Sequence, residues 1–465
     1  MSQASTDHSP FAQSERHPLE RLLAPLASVD VHEVASDDCA IKAQPRSVTC
    51  VRGTGKQTWL TSNNWRIFVR AADIPAPTAS EEIARFECSD GRVVRVWHDA
   101  DSGVVIVPFS LTEAYESYVS EAWRAEASAR QLSPRQLDAF YAIKRVIPRP
   151  IQLAGRRLLA RWQRGVRFPA WPYDNSMVSL VRFYASCLLL ATNASQLEFR
   201  WFWPSDYHAA LVLTHDVESA EGLRLAVEIA DLEEERGLRS SFNIVADWYP
   251  VDHGILRELR DRGFELGVHG IYHDRSMFSS RRRFNEQLPK VAAWADEIGA
   301  VGFRSPATHR VFDWLGELPL EYDCTIPHSD PYEPIPGGAC TPWPFFIGDV
   351  VELPYTLPQD HTLFTVLNEH TIDTWVRQVN RLEESFGLMQ CVTHPDPGYL
   401  GDPRKRGYYV ELLDYMHGRN RVWRALPREV ARWWRERDTG VVSEAVGRGI
   451  ARQVGTHVVI EPVFD

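Results

Sequence analysis

Between Tyr207 and Arg437, short apolar runs alternate with stretches whose apolar residues recur every three or four positions. Ala210–Leu213, Ser241–Val245, Phe264–Val268, Val301–Phe303 and Met389–Thr393 read as short strands buried on both faces, as strands of a parallel sheet are. Between them, Leu223, Ala226, Val227 and Ala230 recur at i, i+3, i+4 and i+7, the spacing of one helical face. Asp252 stands where a cap would precede a helix carrying Ile255, Leu256 and Leu259. Phe284, Leu288, Val291 and Ile298 mark another helix, with Pro289 placed to bend it. Leu426–Val430 opens a last helix rich in Trp and Arg. Strand–helix alternation of this kind predicts a parallel α/β architecture.

The pattern is different earlier in the chain. From Asp30 to about Phe109, the runs Val48–Val51, Trp65–Val69, Arg92–Trp97 and Val104–Pro108 read as strands. Asp90-Gly91 and Ser102-Gly103 are hairpin signals between them. From Leu111 to about Asn193 the reading is mostly helical, interrupted by Ile147-Pro148-Arg149-Pro150 and Phe168-Pro169-Ala170-Trp171-Pro172. Four parts are expected: a flexible tail over residues 1–30, an α+β accessory domain over 31–205, an α/β domain over 206–437, and an appendage of one or two strands over 438–465. The accessory part contains no metal-ligand spacing and is expected to be structural or to position substrate.

Each apolar run of the α/β region ends in polar residues, and active sites of parallel α/β folds are built at strand C-termini. Ala210–Leu213 runs into Thr214-His215-Asp216-Val217-Glu218. Buried carboxylates are costly unless paired or bound to a metal. Phe264–Val268 is followed by His269-Gly270-Ile271-Tyr272-His273. Two His four apart can face one side of a helical turn and offer two nitrogens to one metal. With one carboxylate of the first stretch they would give the three protein ligands of an open Zn²⁺ site. Val301–Phe303 ends in Arg304-Ser305-Pro306, where Arg304 can pair with a carboxylate and keep it ionised. Met389–Thr393 ends in His394-Pro395-Asp396, where His394 can serve as a general acid.

Composition narrows the field. At 465 residues with 44% hydrophobic content, the chain can bury two or three cores. The formal net charge of −11 argues against nucleic acid or an anionic membrane as a main partner. Seven Cys with no Cys-x-x-Cys pair suit a reducing compartment. The polar start, Met1–Arg16, has no apolar signal-peptide run, and Met177–Ala191, which contains Arg182, reads as a buried helix rather than a membrane span. A cytoplasmic protein without an integral membrane segment is expected.

The order carboxylate, His pair, Arg, His resembles the polysaccharide deacetylases with a NodB-homology domain, carbohydrate esterase family four. Their first motif, usually Thr-Phe-Asp-Asp-Gly, is similar to Thr214–Glu218. Their His-Ser-x-x-His is similar to His269–His273, their Arg-x-Pro to Arg304-Ser305-Pro306, and their Leu-x-His to Val392-Thr393-His394. The resemblance spans about Tyr207 to Arg437 and implies a distorted β/α barrel with fewer than eight repeats. It implies Asp216 as general base, Arg304 as its neutralising and orienting partner, and His394 as the acid that protonates the leaving amine. It also implies a divalent metal, Zn²⁺ by preference, held by the next acidic residue and the two His. Val217 stands where the usual motif has its metal-binding Asp. Some relatives carry Asp-Val-Asp or Asp-Val-Glu instead, which gives that role to Glu218. Gly270 replaces Ser or Thr, and Ala307-Thr308 replaces aromatic-Gly after the Arg motif.

The implied activity is metal-dependent removal of an N-linked acyl group, acetyl by preference, from an amino sugar or polysaccharide. Two alternatives stand beside it: deformylation or deacylation of a small or lipid-linked sugar, and a catalytically silent carbohydrate-binding protein. Trp314, Trp343 and Tyr355 are candidates for stacking on sugar faces.

Overall fold

The computed structural model describes residues 17–27, 29–36, 44–63, 65–125, 149–166, 168–439, 446–455 and 457–463. They divide into two compact units that interleave along the chain. One takes in 149–174 and 207–435; the other takes in 17–125, 175–206 and 436–463.

The first unit is built on a sheet of nine strands among the described residues. Strand Ala209–Val217 is buried along its whole length. It pairs in parallel with Ser241–Ile244 on one side and Leu388–Thr393 on the other. Parallel pairing continues from Ser241–Ile244 through Glu265–Val268, Gly302–Phe303 and Tyr322–Asp323 to Val350–Glu352. Phe345–Ile347 adds an antiparallel edge. The sheet then curls back on itself. Just beyond Val350–Glu352, the amides of Thr356 and Leu357 donate to Gln390 O in strand Leu388–Thr393, at 3.2 and 3.0 Å. Closure by a loop rather than a ladder makes this a distorted β/α barrel.

Helices follow the strands as the periodicity predicts. Ala220–Glu234 is capped by Ser219, His253–Asp261 by Asp252, and Arg281–Ile298 by Ser280, each side chain accepting a backbone N–H of the first turn. Pro289 lies inside the third helix. Leu223, Ala226 and Ala230 are buried, as are Leu256 and Leu259, and Phe284 and Val291. Full burial of one such Leu or Val contributes about 1.5–3 kcal/mol.

The second unit holds a seven-stranded sheet and a three-stranded one among the described residues. Both expected hairpins form: Glu81–Cys88 pairs antiparallel with Val93–Asp99, and Val93–Asp99 with Val104–Val107. Gly91 and Gly103 sit at φ +88° and +67°, where a side chain would be strained. Helix Ser176–Thr192 is a buried core helix. Among the described residues no helix is long and apolar enough to cross a membrane.

The two units do not follow the linear order of the chain in three places. The expected tail reaches only partly into the described residues, and there Pro18–Leu23 is a helix burying Leu19, Leu22 and Leu23. The expected C-terminal appendage is a hairpin, Val446–Val454 with His457–Val463, that pairs antiparallel with Gln196–Pro204 of the second unit. A buried guanidinium ties these pieces together. Arg437 donates to the carbonyls of Trp201, Leu22 and Arg200 at 2.8–2.9 Å. Third, 149–174 belongs with the barrel. Arg157 donates to Thr365 O at 3.2 Å, Asp174 N to His328 Nε2 at 2.9 Å, and Gln378 Nε2 to Pro172 O at 3.0 Å.

Candidate active site

Side chains alternate along strand Ala209–Val217 with period two. His215 turns to one face, where its ring meets Thr393 Oγ1 at 2.8 Å and Glu233 Oε1 at 2.7 Å in a buried polar cluster. Asp216 turns to the other face. There Asn243 Nδ2 donates to its Oδ1 at 2.8 Å, and Arg304 Nε lies 3.5 Å from the same oxygen. The strand register makes the first contact, since Asn243 is the direct partner of Asp216. Burial pushes the Asp216 carboxyl up, but His269, Arg304, His394 and the Asn243 hydrogen bond together hold it below the usual carboxylate range. Arg304 is itself buried and stays charged; its Nη2 donates to Thr214 Oγ1 at 3.0 Å.

His269 ends strand Glu265–Val268. Its Nδ1 lies 3.0 Å from Arg304 O. A carbonyl only accepts, so Nδ1 carries the hydrogen and Nε2 keeps a lone pair. That Nε2 is buried without a hydrogen-bond partner, 3.9 Å from Asp216 Oδ2. Burial lowers the pKa of His269 to about 4, more than Asp216 and Glu218 raise it, so the ring is neutral.

His273 reaches the same place, but not through a helical turn. Residues 271–275 form bends, and Gly270 sits at φ +72°. A Cβ there would also lie 3.1 Å from the Pro306 ring. The i, i+4 spacing therefore works through a loop, and Gly270 is the residue that lets the loop turn. His273 Nε2 is 2.9 Å from Glu218 Oε1. Glu218 follows the buried Val217, and its own backbone N–H donates to Asp396 Oδ2 at 2.9 Å. Burial raises the Glu218 carboxyl, but His273, His394 and His269 bring it well below its ordinary value.

One ligand atom each from Glu218, His269 and His273 lies within 4.8 Å of the others. Two imidazole nitrogens and a carboxylate oxygen, one nitrogen buried without a partner, fit a divalent metal of the Zn²⁺ type.

His394 closes the group. Its Nδ1 is 2.7 Å from Asp360 Oδ1, and its backbone N–H donates to Asp360 Oδ2 at 3.1 Å. Burial lowers the His394 pKa, but Asp360, Glu218 and Asp216 outweigh it and raise the ring to about 10, so it carries a proton.

All six expected site residues line one cavity of about 400 Å³. Three contributors were not legible beforehand: Asn243, Asp360, and helix Arg149–Gln163, whose Gln152, Arg156 and Leu159 form part of the wall. Ala307 and Thr308, also in the wall, take φ +49° and +53° without being Gly, a strain typical of sites. The expected stacking residues lie elsewhere. Trp343 is buried with its indole on Phe386 O, Tyr355 is buried with its ring 5.9 Å from the Arg304 guanidinium, and Trp314 packs on Phe284. The aromatic in the cavity is Tyr399, 4.9 Å from the His394 ring.

No family model matches the sequence, and no curated protein matches it. Solved structures do. The neighbours include polysaccharide deacetylases and a carbohydrate esterase. A Mycobacterium smegmatis protein assigned as a polysaccharide deacetylase is 19% identical, covers 53% of this chain and 96% of its own, and has a TM-score of 0.42. An allantoinase is 14% identical over 50% of this chain and 92% of its own, TM-score 0.40. A family 4 carbohydrate esterase from Streptomyces lividans, solved with acetate, is 12% identical over 47% and 92%, TM-score 0.32.

Proposed function

We propose that this chain is a metal-dependent hydrolase that removes an N-linked acyl group, acetyl by preference, from an amino sugar or polysaccharide. One juxtaposition carries the reading. A two-His, one-carboxylate ligand set, Glu218, His269 and His273, sits beside an ionised carboxylate, Asp216, and a protonated imidazole, His394. A divalent metal held by that set supplies Lewis acidity, lowering the pKa of a water and polarising an acyl oxygen.

The chain's own residues do the proton work. Asp216, kept ionised by Arg304 and Asn243, takes a proton from the attacking water. His394, kept protonated by Asp360, gives one to the departing nitrogen. Base and acid thus differ in charge because their partners differ: cations around Asp216, a carboxylate behind His394. The products are a free amine and a short acid.

The test is metal content together with a screen of N-acylated sugars and glycans for released acid. The protein should hold about one divalent ion per chain and release acid from at least one substrate. His269→Ala and His273→Ala should each lose the ion and most of the rate, because three ligands are the minimum for such a site. A protein that holds no stoichiometric ion and releases no acid is the silent carbohydrate binder instead.

A further inference from the structure

Helix Arg149–Gln163 has two unlike faces. Gln152, Arg156, Leu159 and Gln163 line the catalytic cavity. On the neighbouring face, Ile151, Leu158 and Trp162 are 61%, 69% and 47% exposed. At about 100° per residue these three fall in one narrow stripe along the helix. They are half of the exposed large apolar side chains among the described residues. Ala154 flanks the stripe on one side, and Gly155, which also lines the cavity, on the other.

Charge segregates to the same segment. Between Asp138 and Asp174 the sequence carries eight Lys or Arg and no acidic residue, in a chain whose net charge is −11. The whole-chain sum therefore conceals a basic stretch of sequence. Arg161, on the helix, and Arg164, in the turn just after it, are exposed. A short helix with Ile, Leu and Trp on one stripe and Arg beside it has the composition of helices that lie in the interfacial layer of anionic bilayers. Trp favours that layer, and each nearby Arg adds attraction to acidic headgroups.

We infer that helix Arg149–Gln163 docks this protein on an anionic lipid surface, which holds the cavity lined by its neighbouring face next to the membrane. The identity of the cavity as a hydrolase site rests on the reading above; the docking does not.

The experiment is sedimentation of the full chain with vesicles of phosphatidylglycerol and phosphatidylcholine, against vesicles of phosphatidylcholine alone. Binding to the anionic vesicles should be at least about tenfold tighter and should weaken as salt screens the Arg charges. The double variant L158S/W162S should lose about tenfold or more in binding while keeping wild-type metal content and melting temperature. If that variant folds poorly, R161E/R164E, at two exposed positions, should abolish the preference for anionic vesicles. Equal binding to neutral vesicles, absence of binding, or unchanged binding by both variants overturns the proposal. So does concentration-dependent dimerisation in ultracentrifugation that L158S/W162S abolishes, since the stripe would then be an interface between two copies. Vesicle binding needs no turnover, so it is readable even if the catalytic reading fails.

Discussion

Nδ1 of His394 lies 2.7 Å from Oδ1 of Asp360, and the second carboxylate oxygen accepts the His394 backbone N–H. One carboxylate therefore fixes both the ring and the peptide that carries it. Holding Nδ1 against an acceptor leaves Nε2 to face the cavity, 3.8 Å from Glu218 Oε1. In the proposed mechanism the pair does for the acid His394 what Arg304 and Asn243 do for the base Asp216.

Asp360→Asn tests this division. His394 must be protonated to act, and in the wild type its pKa is raised to about 10. Without the Asp360 charge, burial pulls the pKa down. The alkaline limb of the pH–rate profile should then move to lower pH, and the rate at pH 8 should fall by some part of the about 10²–10⁴-fold that general acid–base catalysis contributes. Metal content should not change, since Asp360 is outside the ligand set. An alkaline limb that stays in place would show that His394 does not depend on Asp360.

The two carboxylates at the end of strand Ala209–Val217 should separate in the same way. Asp216→Asn should keep the metal and lose about 10²–10⁴-fold in rate, because the base is gone while the hydrogen bond from Asn243 retains an acceptor. Glu218→Gln should lower metal affinity first, with rate recovered in part by excess metal. Metal content and rate, measured for both, check it. Metal lost from Asp216→Asn and kept by Glu218→Gln would swap the roles.

Most of this site is legible in the sequence because a parallel barrel gathers strand ends. Asp216, His269, Arg304 and His394 each follow an apolar run, so a linear pattern places them at one rim. Glu218 follows by the period-two alternation of extended chain. Asn243 escapes notice because it sits inside a strand run, and its meaning comes from its register against Asp216. Asp360 is 34 residues from His394, at the cap of the short helix His361–Val366, where no periodicity speaks. Helix Arg149–Gln163 is helical in both sequence and structure, but its packing on the barrel depends on loop contacts such as Arg157 with Thr365 O. The same holds for the C-terminal hairpin, whose partner strand is fixed by ladder pairing with Gln196–Pro204 rather than by chain proximity.

Gly270 links backbone conformation to the proposed metal-ligand set. Its φ of +72° is in the left-handed region, which costs an L-residue roughly 1–2 kcal/mol. A Cβ at this position would also meet Cγ and Cδ of Pro306 at 3.1 Å, so Pro306 or the loop has to give by a few tenths of an ångström. Pro306 follows Arg304 and Ser305 directly, and Gly270 separates His269 from the bend that brings His273 back to Glu218. Gly270→Ala should therefore do two things at once. Stability should fall by about 1–3 kcal/mol, the usual range for backbone strain, read as a lower denaturation midpoint. Metal affinity should fall more than the stability loss alone explains, because His269 and His273 no longer converge without distortion. Isothermal titration with Zn²⁺ on the folded variant separates the two effects. Wild-type affinity in a destabilised Gly270→Ala protein would mean that the loop turns without help from Gly270, and that the His pair is held by its contacts with Arg304 O and Glu218 alone.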